Sequence, residues 1–171
     1  MPLPRALAPV AVVLLLVPGC GRKTDLAAVP DTLSTRPVEF ESTALGFKLQ
    51  LPPAWRGHHV AIERTGGEGE QVYPSSLGSV QFDYQPQAAG LAPVTLLSVV
   101  VYERSDWEAV LDEPGPPAGE RLATVGDRVY VLVQAQPDPY DPASADGRAF
   151  EGMRLPFSEV KAAFTATGQA P

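Results

Sequence analysis

Apolar residues recur at every second position in this chain wherever prolines leave room for a strand, and that period constrains the fold more than any other feature. Phe47, Leu49 and Leu51 alternate with Lys48 and Gln50, and Val80, Phe82 and Tyr84 alternate with Gln81, Asp83 and Gln85. Successive strand side chains point to opposite faces, so each segment predicts a strand with one apolar face. Thr95 to Tyr102 is apolar on both faces apart from Ser98, the pattern of a strand covered from two sides, and it belongs at the centre of a sheet. The 19 prolines, about twice the usual share, cluster at Pro52-Pro53, from Pro114 to Pro117 and from Pro137 to Pro142. A residue without an N–H cannot donate to a ladder, so these clusters mark loops and strand ends.

Further elements follow from local chemistry. His59 to Arg64 predicts a strand, and Gly66-Gly67-Glu68-Gly69-Glu70 a flexible hairpin loop after it. Ser105 and Glu108 have capping-box spacing, predicting a short helix from Asp106 to about Leu111. Leu122 to Val125 and Val129 to Gln134 flank Gly126-Asp127, a tight hairpin turn in which glycine supplies a positive φ. Phe150, Met153, Phe157, Val160 and Phe164 recur at spacings of three and four, a helical stripe that Pro156 breaks into a kink or two short helices. Five to seven strands, a short helix and a C-terminal helix packed on the sheet predict an α+β fold with an antiparallel β-sheet.

The amino terminus carries an address. Arg5 precedes the apolar run Ala6 to Val17, which is too short for a stable membrane span and leads into Val17-Pro18-Gly19-Cys20. This layout resembles the lipobox of bacterial lipoprotein signals, with Val17 and Gly19 fitting the pattern and Pro18 departing from it. The resemblance implies that the Cys20 thiol receives a diacylglyceryl group, that the bond before it is cut, and that the new amino terminus is acylated. Two or more acyl chains, at about 0.8 kcal/mol per buried methylene, make such an anchor stable. Cys20 is the only cysteine, so no disulfide forms within one chain.

The expected organisation is a signal peptide over residues 1–19, a flexible polar tether over 20–37 and one globular domain over 38–168. Removing residues 1–19 from 171 leaves 152, enough for one domain with a real core. The whole chain has 13 Lys and Arg against 20 Asp and Glu, and the signal removes only Arg5. An acidic balance of this size argues against a nucleic-acid partner, since phosphate binding needs a basic stripe. Gly21-Arg22-Lys23 follows the cysteine, with no Asp at the second mature position. By resemblance to the enterobacterial sorting pattern this implies the outer membrane, facing the periplasm, in a Gram-negative cell.

Phe47-Lys48-Leu49-Gln50-Leu51-Pro52-Pro53-Ala54-Trp55 is similar to the opening of PsbP-like domains, in which alternating strands and a closing helix follow. Leu97 to Trp107, Gly119 to Gln134 and Phe150 to Phe164 also resemble a domain of secreted bacterial proteins. The likeness spans about Glu41 to Thr165. It implies a fold, and an accessory or binding role rather than catalysis. No functional residue carries over by motif.

Candidate chemistry is sparse. His58 and His59 are the only histidines, and adjacent strand residues point to opposite faces, so they do not share a metal. Asp138, Asp141 and Asp146 lack the spacing of a calcium loop and suit turn stabilisation. Neither Ser75-Ser76 nor Gly78-Ser79 forms a nucleophile elbow. Asp83 and Glu103 are carboxylates that neighbouring strands could bring together. Tyr73, Tyr84 and Tyr140 lie at or beside loop signals, where a recognition surface is expected.

These features predict a membrane-anchored lipoprotein with a non-enzymatic binding or accessory domain in the bacterial cell envelope. Its partners would be the lipid bilayer, through acylated Cys20, and an envelope protein. No cofactor or metal is expected. Two alternatives stand beside it: an envelope hydrolase using acidic residues with His59 as base, and a structural envelope-integrity factor.

Overall fold

The computed structural model describes residues 35–114, 118–134 and 139–168. The signal peptide, Cys20, most of the tether, Asp138 and residues 115–117 of the Pro114–Pro117 cluster lie outside the described residues.

The alternating segments form strands, but the described residues hold eight of them in two antiparallel sheets rather than five to seven in one. β1 (Val38–Ser42), β2 (Phe47–Leu51) and β8 (Phe164–Ala166) make a three-stranded sheet in the order β1-β2-β8. β3 (His59–Thr65), β4 (Ser76–Tyr84), β5 (Val94–Glu103), β6 (Glu120–Val125) and β7 (Arg128–Gln134) make a five-stranded sheet in the order β3-β4-β5-β7-β6. β5 holds its centre, as two-sided apolarity requires: Leu97, Val99 and Val101 enter one core while Val100 and Tyr102 enter another.

The larger core lies between the two sheets. Phe47, Leu49 and Leu51 of β2 meet Val80, Phe82 and Tyr84 of β4 and Tyr130 and Leu132 of β7. The rings of Phe40 and Phe82 meet edge-on with centroids 5.0 Å apart, and Phe47 stacks on Phe164 at 5.5 Å. Two helices close this layer, α3 (Ala145–Met153) and α4 (Phe157–Ala163), with Pro156 as the N-cap of the second. The apolar stripe is thus split where proline removes an amide, and Phe150, Met153 and Val160 enter the core from it. Phe164 departs from expectation. It opens β8 instead of extending the helix, and pairs with Leu49.

Two other segments differ from their local signals. The glycine-rich stretch is no loop: Gly67–Val72 forms a short helix, α1. Gly66, at φ 56°, reverses the chain into it, and the Gly66 carbonyl accepts from the N–H groups of Gly69 and Glu70. A Cβ on Gly69 would stand 2.8 Å from the Cα of Gly78, so glycine here permits backbone contact rather than freedom. The second is α2 (Arg104–Asp112), which starts earlier than its capping box would place it, with Glu103 as an N-cap whose side chain makes no cap bond. The Arg104 N–H instead donates to the carbonyl of Asp127 in the β6–β7 turn at 2.8 Å, so a tertiary bond replaces the local one.

A smaller core occupies the other face of the five-stranded sheet. Val100, Tyr102, Trp107, Val129 and Val131 pack there with Tyr73, Val110, Ala118 and Val133 around α2. This face carries the candidate site.

Candidate functional site: a tyrosine-walled groove on the outer sheet face

The tyrosines expected at the surface separate into two environments. Tyr84 is fully buried and donates its hydroxyl to the Asp146 carboxylate at 2.7 Å. Tyr140 is buried as well, bonding through its hydroxyl to the Ala92 carbonyl at 2.6 Å, and both rings meet Phe150 edge-on. These two are interior posts that hold the 85–93 loop and α3 to the sheet. Tyr73 alone of the three is half-buried at an open groove.

The carboxylates do not form a catalytic pair. Asp83 faces Thr95 across β4 and β5, while Glu103, at the far end of β5, faces Arg128. Eight residues of extended strand hold them roughly 26 Å apart, whereas glycosidase carboxyls stand about 5–9.5 Å apart. Asp83 is spent on a local network, accepting from Gln81 Nε2 at 2.8 Å and Thr95 Oγ1 at 2.9 Å, with Arg64 bonded to Gln81.

His59 lies on the opposite face. It pairs with Tyr84 in register, packs its ring against Trp55 and Phe82, and bonds through Nδ1 to the Trp55 carbonyl at 2.7 Å. That bond requires the proton on Nδ1. His58 is half-buried beside Ala54, Arg148 and Met153, and its Nδ1 has no hydrogen-bond partner among the described residues. Among the described residues no group of three or more His, Cys, Asp or Glu is placed to hold a metal ion.

Asp146 is almost fully enclosed and serves the turn at residues 87–88. Besides Tyr84, it accepts from the backbone N–H of Gln87 at 2.7 Å and of Ala88 at 3.1 Å. The Gln87 bond foremost, then the Tyr84 hydroxyl, with the Ala88 bond and the charge of His58 adding to them, hold its carboxyl below the usual aspartate value.

The groove at Tyr73 is built differently. It measures about 280 Å³ and is lined by Tyr73, Pro74 and Ser75 from the α1–β4 turn, Tyr102 of β5, Val110 and Glu113 of α2 and its end, and Ala118 and Val133. Tyr102 is 4% exposed with its ring tilted against Trp107, centroids 5.5 Å apart. Burial, then the nearby Tyr73 and Glu113, push its phenol up to about 12. Neither tyrosine hydroxyl bonds to a described residue, and Glu113 forms no ion pair among them. Ser75 is held at φ 61°, an uncommon conformation for a residue with a side chain. The next residue, Ser76, is buried and its hydroxyl has no hydrogen-bond partner among the described residues.

Sequence reasoning placed Tyr102 in the core and missed Glu113 altogether. The usable signal was a valine run ending in an amphipathic ring, opposite a Tyr-Pro-Ser turn. No protein-family model matches the chain, and neither a curated protein nor a solved structure matches it.

Proposed function

We propose that this chain is a lipid-anchored, non-enzymatic binding protein of the bacterial cell envelope, with a PsbP-like domain held at a bilayer by acylated Cys20. The Arg5-led apolar run ending at Cys20 supports the anchor. Among the described residues no helix is long and apolar enough to cross a membrane. The observation that carries the binding role is the groove, where Tyr73, Tyr102 and Glu113 stand around an open volume with no hydrogen-bond or ion-pair partner for their polar groups among the described residues. Tyrosines of this kind give large contact area and a polar handle at little entropic cost. His59 and Asp83, the residues a hydrolase would have used, point to opposite faces of one sheet.

Metabolic labelling of cells with a palmitate analogue tests the anchor. Label on the wild-type protein that disappears in Cys20→Ala supports it, and an unlabelled wild type overturns it. Crosslinking at Tyr73 in intact envelopes tests the groove, where reproducible capture of one ligand or protein, lost on Tyr73→Ala, is the expected result.

A further inference from the structure

The inside of the groove has a chemical polarity that selects among ligands. Tyr102 is enclosed to 4% exposure, lines the opening and keeps its hydroxyl unpaired within the described chain. The ring is buried but the oxygen is not one of the enclosed unbonded atoms, so the hydroxyl opens onto the groove, where a group from outside can bond it.

Three features set the sign of that group. The Glu113 carboxylate stands at the groove with no cation beside it among the described residues. Helix α2 ends there with no basic residue in its last turn, so the partial negative charge of its carbonyl end is uncompensated. The helix itself carries Asp106, Glu108 and Asp112 against Arg104, which is engaged with Gly126 and Asp127. On the same sheet face, Arg64 is tied to Gln81 and Arg121 sits opposite Val131, and neither lines the groove. An anion would meet repulsion throughout.

We propose that the groove binds a small organic cation, an ammonium on a short apolar stem, resting on the reading of this domain as a binding module. Glu113 acts as counter-ion, Tyr73 and Tyr102 are the aromatic walls that attract a cation through their ring quadrupoles, and Val110, Ala118 and Val133 receive the stem. The Tyr102 hydroxyl bonds a polar atom of the ligand. A volume of about 280 Å³ suits a ligand at the small end of the usual range. Ser75, held in the left-handed region, sets the lip that carries Tyr73, and strain of this kind collects at ligand clamps.

The full-length protein, purified in detergent, is titrated with choline, butylamine and an N-acetylated lysine amide. Tryptophan fluorescence is the readout, because Trp107 touches Tyr102. The control is the neutral alcohol in which carbon replaces the choline nitrogen. Saturable binding of at least one cation is expected, with the neutral isostere, Glu113→Gln and Tyr73→Leu each weaker by about five- to tenfold. Tyr73 is half-buried and Glu113 exposed, so both variants keep the fold, which a thermal melt verifies. Tightest binding by the lysine amide assigns the ammonium to a partner protein's side chain; tightest binding by choline or butylamine assigns it to a free amine.

Equal binding of the neutral isostere, an unchanged affinity in Glu113→Gln, or no saturable cation binding overturns the proposal. If a neutral compound saturates the groove where cations fail, the charge assignment falls while the binding reading stands. The palmitate label reports on the anchor independently.

Discussion

The indole Nε1 of Trp55 donates to the carbonyl of Met153 at 3.1 Å, tying the helical turn that follows the first sheet's central strand to the last turn of α3 across 98 residues of sequence. Trp55 is fully buried, and its ring meets Phe82 edge-on at 6.1 Å. Trp55→Phe keeps most of the apolar contact but leaves the Met153 carbonyl without this bond, a loss of about 1–3 kcal/mol that lowers the melting temperature by roughly 3–10 °C. Trp55→Ala adds a cavity and costs about 3–5 kcal/mol. Thermal unfolding followed by circular dichroism separates the two; equal losses would mean that packing, not the hydrogen bond, decides the site.

Glycines in the α1–β4 region fall into two classes with opposite expected outcomes. A Cβ on Gly78 would lie 2.5 Å from the Arg64 carbonyl oxygen and 2.9 Å from Leu45 Cδ2, at φ +154°. Gly78→Ala therefore forces backbone apart and destabilises by at least about 2 kcal/mol. Gly67 starts α1 with nothing within 4 Å of where an alanine methyl group would sit, so Gly67→Ala gains up to about 0.5–1 kcal/mol by restricting the unfolded chain. Urea denaturation midpoints of the two variants should move in opposite directions.

Acid sensitivity should trace to Asp146. Its carboxylate accepts from the Gln87 N–H, the Tyr84 hydroxyl and the Ala88 N–H, which hold its folded value below the unfolded 3.8. A depressed value means the folded state binds the proton less readily than the unfolded one. Its stabilisation is therefore complete above 3.8 and is lost as pH falls through the folded value. Asp146→Asn cannot accept on both former oxygens. The variant should melt lower at neutral pH and show a flatter decline under acid; a decline as steep as the wild type's would assign the acid limb to other carboxylates.

Much of the sheet was readable because period two is a local signal and proline an unambiguous stop. Phe47–Leu51, His59–Thr65, the two-sided strand at Val94–Glu103 and the Gly126–Asp127 turn all emerged from neighbours in sequence. The division into two sheets did not. It depends on β8, three residues long, reaching back to pair Ala166 with Phe47, and on Phe164, whose spacing after Val160 fits a helix as well as a strand. Pairing across more than a hundred residues leaves no trace in a local pattern. The same holds for α2, whose first amide donates to the distant Asp127 carbonyl and whose N-cap, Glu103, makes no side-chain cap bond.

Of the candidate site, Tyr73 was legible from its turn and Tyr102 and Glu113 were not. Tyrosine beside a loop signal reads as surface, yet Tyr84 and Tyr140 are buried against Phe150 of helix α3, an element far along the chain from Tyr84. Burial of an amphipathic ring is decided by what packs over it. Glu113 gained its meaning only when α2 folded across the outer sheet face and placed it at the same opening as Tyr102.

Buried serines provide a further contrast. Ser79 and Ser98 are almost completely enclosed on the outer-face side of β4 and β5, and their hydroxyls have no hydrogen-bond partner among the described residues. Ser42, equally buried, donates to Glu63 at 3.0 Å and accepts from the Leu45 N–H at 3.0 Å. Ser79→Ala and Ser98→Ala remove a desolvated hydroxyl and should hold or raise stability by up to about 1 kcal/mol. Ser42→Ala strands a buried amide and should lower it by about 1–2 kcal/mol. Chemical denaturation of the three variants checks the sign, and a uniform loss would show that bonding state does not govern them.

The groove should also govern behaviour in alkali. Burial, with Tyr73 and Glu113 adding to it, raises the Tyr102 phenol from 10.0 to about 12. A raised value means that the folded state keeps this proton after the unfolded state has released it, so ionisation favours unfolding. The contribution of Tyr102 is intact below 10.0 and declines as pH rises from there to about 12. Ultraviolet titration of phenolate absorbance should show a late component in that window that is lost in Tyr102→Phe. The same substitution removes the titrating group, so the alkaline loss of stability should shrink while Trp107 keeps its aromatic neighbour. Glu113→Gln takes away one of the charges opposing ionisation and should move the late titration toward 10.0. A late phase unmoved by either change would overturn the assignment to Tyr102.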